Sequence, residues 1–174
     1  MNSFELRRAK PEDAPAIHAL RSRPESRRHQ PLRPSSVDAI ERALAERGSA
    51  PLVPTQSGKI QWTILVDGEP AGWVSVAVTS REHHIANLGY TLDPRYHGRG
   101  VTSAAVREVI PIVFDPSRLA IERLEAVAAV DNSASRRVLE KCGFALEGIA
   151  RGYLIISGKR IDHARYARLR EDHT

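Results

Sequence analysis

Apolar and polar positions alternate over residues 4–9, the period of a strand with one face turned to a core. The period changes at Lys10-Pro11-Glu12-Asp13, which puts a proline and two acids in the first turn of a helix. Ala16, Ile17 and Leu20 make the apolar stripe of that helix. Residues 21–34 carry no period and are broken by Pro24, Pro31 and Pro34, so a polar loop is expected there. Ser35 or Ser36 can cap a second helix over residues 37–46, which Gly48 ends. Residues 51–58 read as another loop. Residues 61–66 and 72–79 read as the two strands of a hairpin joined through Asp67-Gly68, and residues 86–92 as a further strand after a polar turn at 80–84. A long helix is expected over about 101–114, a strand over 124–130, and a helix over 132–141 that stops at Gly143. Residues 144–156 are largely extended, Ser157-Gly158-Lys159 turn, and residues 161–169 form a last strand.

Mixed strand pairs with helices between them predict an α/β or α+β fold, one sheet covered by helices. A length of 174 residues suits one domain, residues 1–174, with a single core, and no repeat or linker divides it. No apolar run is long enough to span a bilayer, and residues 1–8 hold no signal-peptide apolar region. The single cysteine, Cys142, excludes an internal disulfide, so a cytoplasmic protein is expected. The net charge of +5 raises a nucleic-acid interface, but the basic residues are scattered and only 5% of residues are aromatic. An Arg-rich surface is the better reading, and a basic groove would suit a polyanionic small molecule.

The stretch Arg95-Tyr96-His97-Gly98-Arg99-Gly100-Val101-Thr102 joins the expected strand at 86–92 to the long helix. Strand, glycine turn, helix is the layout of a phosphate site: glycines let the backbone turn closely, and the amides of the first helical turn face the ligand. The turn lacks the Lys-Ser/Thr pair of a Walker loop, and Ser103 stands where a dinucleotide fingerprint has its third glycine. It reads R-x-x-G-x-G, and further on Val130, Asn132, Ser135, Val138, Lys141, Gly143, Phe144, Glu147 and Gly148 are spaced as V-x-N-x-x-S-x-x-V-x-x-K-x-G-F-x-x-E-G.

Together these resemble the GNAT acetyltransferase superfamily, most of all its Rim-type branch of ribosomal-protein N-terminal acetyltransferases, over residues 4–168. The resemblance implies a single N-acetyltransferase domain whose mixed, mostly antiparallel sheet splays where two central parallel strands part. It implies acetyl-CoA as co-substrate and no metal, with the pyrophosphate on Gly98, Gly100 and the amides from His97 to Thr102, Val101 included. Arg95 and Arg99 could add contacts to phosphates. Tyr90, Thr91 and Leu92 would meet the pantetheine arm through their main chain, Asn132 would bond that arm, and Ser135 would lie near the sulfur. Asn132 and Asp131 also compete to cap the helix that follows.

The implied partner is an amine acceptor, a peptide N-terminus or a small neutral molecule, with antibiotic or polyamine acetylation and an acyl-CoA-binding module as alternatives. A homodimer is compatible with all of these, and a membrane partner is not expected. In Rim-type enzymes an acid often precedes the Gly-Tyr of the central strand by two residues, and another follows the E-G pair; Asn87 and Leu154 stand at those places. The remaining candidates for a general base are Glu82, His83, His84, Glu147, Tyr153 and His163, with His84 and Tyr153 carried as candidate catalytic residues beside Ser135. Cys142, just before a helix-ending glycine, reads as a packed residue rather than a nucleophile.

Overall fold

The computed structural model describes residues 4–48 and 50–173. Seven strands, β1 (Phe4–Arg8), β2 (Gly58–Val66), β3 (Glu69–Ser80), β4 (Ile85–Leu92), β5 (Arg123–Ala129), β6 (Ala145–Ile156) and β7 (Lys159–Leu169), form one sheet in the order β1-β2-β3-β4-β5-β7-β6. Every neighbouring pair is antiparallel except β4 and β5. The helices are α1 (Ala14–Ser22), α2 (Pro24–Arg27), α3 (Val37–Arg47), α4 (Val101–Phe114) and α5 (Ser133–Lys141).

Successive strand residues face opposite sides of the sheet, and both sides are covered. Ile60, Trp62, Ile64, Val74 and Val76 pack with Val106, Val109 and Ile110 of α4. Trp73, one residue from Val74, packs on the other side with Ile17 and Leu20 of α1 and Ile40 and Leu44 of α3. Two covered faces explain why residues 60–66 of β2 are buried without a break. The buried Asp13 carboxylate fastens the first elements together, accepting from the Arg7 guanidinium (2.7 and 2.9 Å), the Lys10 amide (2.9 Å) and the Thr63 hydroxyl (2.6 Å). Burial pushes its pKa up, but these bonds and the Arg7 charge hold it below the usual carboxylate range.

The turn chemistry read from the sequence is present. Asp67 (φ 52°) and Gly68 (φ 82°) make the β2–β3 connection with two positive φ angles, the geometry that matches strand twist in a two-residue hairpin. The strands run further than their apolar patterns: β2 begins at Gly58 and β3 at Glu69, because ladder bonds continue past the last core-facing residue. The stretch expected as loop at 21–34 holds the end of α1 and the turn of helix α2, with Pro24 at a position where its fixed φ suits a helix start.

The feature that makes room for a ligand is the parallel pair. β4 and β5 are in register only at Ile85–Arg123, Ala86–Leu124 and Asn87–Glu125. Beyond that point β4 stays on β3 as far as Leu92, and β5 stays on β7 as far as Ala129, so the sheet splits. Gly72 lets β3 follow β4 into the split: a Cβ there would lie 2.3 Å from the Thr91 carbonyl oxygen.

Candidate active site

A cavity of about 530 Å³ occupies the split. Its floor is Tyr90, Thr91 and Leu92 of β4, one wall is the start of α4 and the opposite wall is α5. The expected cradle is at one end. Gly98 (φ 75°) and Gly100 (φ 78°) hold left-handed backbone, and Gly100 is the N-cap of α4. Ala104 donates the first amide of the helix, to the Gly100 carbonyl (3.0 Å). Helix geometry gives the amides of Val101, Thr102 and Ser103 no partner within α4, and these residues line the cavity. Such a terminus attracts anions through its free N–H groups and the helix dipole.

The two arginines of the turn do not line the cavity. Arg95 is held by Asp93 through its guanidinium (2.8 and 3.1 Å) and its amide (3.0 Å), and Arg23 joins the same carboxylate at 2.8 Å. Burial pushes the Asp93 pKa up, but the bonds from Arg95 and the nearby arginine charges hold it below the usual range. Arg99 lies over the Tyr96 ring, 5.6 Å from its centre. The positive charge that lines the cavity comes instead from Arg28, Arg137 and Lys141.

At the other end the Tyr90 hydroxyl crosses the split to Ser135, 2.9 Å from its Oγ and 3.1 Å from its carbonyl oxygen. Burial pushes the Tyr90 phenol well above its ordinary pKa, so its hydroxyl stays protonated. Of the two candidate caps for α5, Asn132 takes the role: its Oδ1 accepts the Ser135 amide at 3.1 Å, which fixes where Ser135 stands.

The open edge of β4 is contacted from above. Gln30 donates its side-chain amide to the Tyr90 carbonyl (2.8 Å) and accepts from the Thr91 hydroxyl (3.0 Å). His97 donates Nε2–H to the Leu92 carbonyl (2.9 Å). His29 lies beside Gln30, also on the cavity wall, with Nδ1 3.5 Å from Asp131. His29 and Gln30 escape the sequence reading because residues 21–34 carry no period or motif that ties them to β4.

Other candidates are not brought here. His84 precedes β4 at its far end, about 25 Å of strand from Leu92. Its backbone is left-handed (φ 51°) and its Nδ1 meets the Ala120 carbonyl at 2.9 Å, which makes it part of a turn. Glu82 and His83 share that turn. Glu147 is bound by Arg123 (2.8 Å). Tyr153 is exposed on β6 with its ring 5.8 Å from that of His163, and neither lines the cavity. Cys142 is buried, which pushes its thiol pKa up and keeps it unreactive.

A helix start with free amides, a split parallel pair and a hydroxyl pair across the split thus share one cavity. The sequence matches the family model described as an acetyltransferase (GNAT) domain over residues 3–145. The chain belongs to the GNAT acetyltransferases. It is 29% identical to an L-amino acid N-acetyltransferase of Escherichia coli (strain K12) over 173 residues, 98% of this chain and 100% of that protein. Its fold superposes on ribosomal-protein-S5-alanine acetyltransferase from Vibrio fischeri with a TM-score of 0.85 at 24% identity, covering 100% of this chain and 99% of the other. A spermidine N-acetyltransferase from Vibrio cholerae, in complex with CoA and spermine, gives a TM-score of 0.83 at 19% identity, covering 98% of this chain and 97% of the other. This GNAT chain is thus an acetyl-CoA-dependent N-acetyltransferase. The names of these three similar proteins point to three classes of acceptor. Among the described residues no helix is long and apolar enough to cross a membrane.

Proposed function

We propose that this GNAT enzyme transfers acetyl directly to the α-amine of a peptide N-terminus or of a small acceptor without net positive charge, such as an amino-acid zwitterion. The observation that carries the reading is the continuous cavity from the free amides of Val101, Thr102 and Ser103 to the Tyr90–Ser135 hydroxyl pair, roofed by the loop that holds Arg28. The pyrophosphate of acetyl-CoA rests on the α4 terminus, with Arg137 and Lys141 supplying positive charge. The pantetheine arm runs along the open edge of β4 at Tyr90 to Leu92, and Asn132 holds Ser135 toward the sulfur. The acceptor amine then attacks the thioester carbonyl in line, and the Ser135 hydroxyl gives a proton to the departing sulfur as Tyr90 hydrogen-bonds to it. No acyl-enzyme forms, since Cys142 is buried and its thiol pKa is pushed up.

The roof favours the acceptor class. Residues 21–34 hold Arg21, Arg23, Arg27, Arg28 and Arg33 against Glu25. Arg23 is spent on Asp93, whereas Arg28 and Glu25 line the cavity from the loop and Arg137 and Lys141 from α5, which leaves the lining net positive. A cationic rim repels polyamines and aminoglycosides and attracts an acceptor that carries a carboxylate. A CoA-release assay over amino acids, tetrapeptides, spermidine and kanamycin tests this. Faster turnover of amino acids or peptides is expected, and preference for spermidine or kanamycin refutes it. Binding of acetyl-CoA without turnover of any acceptor would make the chain a binding module.

A further inference from the structure

The transfer reading above leaves the acceptor's proton without a destination. An amine arrives at neutral pH as an ammonium ion and attacks only after losing a proton. The family's usual acid positions hold Asn87 and Leu154, and neither side chain takes one. His84 stands at the wrong end of β4.

We propose that His29, seated against Asp131, is the general base of this enzyme. Its place is fixed from two sides. Gln30, the next residue, is tied to β4 at Tyr90 and Thr91 by two hydrogen bonds, which hold the loop over the mouth of the split. Asp131, in the turn before α5, lies 3.5 Å from Nδ1 of His29. The imidazole therefore links the loop to the turn before α5, and it forms part of the lining of the cavity that holds the hydroxyl pair. Carboxylate at Nδ1 favours the tautomer with its hydrogen there, which leaves the lone pair on Nε2. The other lining histidine, His97, already donates Nε2–H to Leu92 and serves the floor instead. The remaining charged groups around the cavity are Glu25 and Arg28 on the loop and Arg137 and Lys141 on α5.

The protons balance. Nε2 of His29 takes one proton from the ammonium group. The freed nitrogen lone pair forms the bond to the thioester carbon, the C–S bond breaks, and its electron pair leaves on sulfur. A second amine proton reaches that sulfur through the Ser135 hydroxyl, giving amide and thiol, and His29 returns its proton to water.

His29→Gln and His29→Ala are expected to lower kcat about 100-fold. They should leave acetyl-CoA affinity within about twofold and remove the acid limb of the kcat/KM profile. Added imidazole should restore part of the His29→Ala rate, which a structural role would not allow. In the resting protein, nitrogen-15 shifts should report the Nδ1–H tautomer of His29, and Asp131→Asn should shift that balance while lowering kcat a few-fold. His29→Ala with wild-type rate and pH profile overturns the assignment, as does a wild-type Nε2–H tautomer. A wild-type protein that binds acetyl-CoA but acetylates no acceptor overturns the transfer reading instead.

Discussion

The two ends of β4 differ in what lies along their edges. At Ile85 to Asn87 the strand is paired on both sides, with β3 and with β5. At Tyr90 to Leu92 it is paired with β3 alone, and its free edge is met by the side chains of Gln30 and His97. The paired end offers no main-chain group to a ligand, so the residues there, His84 included, serve turns and packing. The open end leaves carbonyl groups, a helix start and a hydroxyl pair within one cavity. One strand thus separates structure from chemistry by where its neighbour leaves it, in keeping with the rule that ligands sit at the carboxyl ends of parallel strands.

Substitutions at the open end should weaken binding or turnover, and those at the paired end should not. Gly100→Asp should do most: it forces a side chain into left-handed backbone and sets a carboxylate beside the phosphates. Its Kd for acetyl-CoA by isothermal titration should rise at least about 100-fold, close to ~3 kcal/mol. Undiminished binding would remove the cradle. Ser135→Ala should lower kcat by about 10- to 100-fold through the lost proton donor, with Kd for acetyl-CoA little changed. An unaltered kcat takes Ser135 out of the transfer. Gly72→Ala tests the link from β3 to the split. The added methyl would press on the Thr91 carbonyl, so we expect a loss of about 1–2 kcal/mol in stability by denaturant titration and weaker acetyl-CoA binding. Unchanged values for both would mean that the β3–β4 contact yields freely. His84→Gly should be the smallest. It loses the bond to Ala120 but relieves a positive φ, leaving stability within about 0.5 kcal/mol and kcat unchanged. A large fall in kcat would erase the contrast between the two ends.

Much of this was legible in the chain. The Asp67-Gly68 hairpin, the helix capped by Asn132 and the glycine turn before α4 each depend on neighbours in sequence, where local sterics and hydrogen bonds decide the conformation. The turn at Gly98 and Gly100 was legible because backbone conformation alone, with positive φ at both, builds it. The roles of the polar side chains were harder to read. Arg95 and Arg99 lie in the motif yet meet Asp93 and Tyr96, whereas Arg137, which no motif singled out, and Lys141, a signature residue given no role, line the cavity from α5. Tyr90 was expected to act through its main chain, and its hydroxyl proves to span the split to Ser135.

The sequence by itself determined the succession of strands and helices, the hairpin turn, the glycine turn at the start of α4 and the family signature. All of these are carried by residues a few positions apart, within reach of one turn or one hydrogen bond. Only the tertiary structure decided where β4 and β5 part, that Gln30 reaches Tyr90 across 60 residues of chain, and that His29 meets Asp131 over the opening. Those contacts depend on how whole elements pack, and a loop without periodicity carries no local mark of the partner it will find.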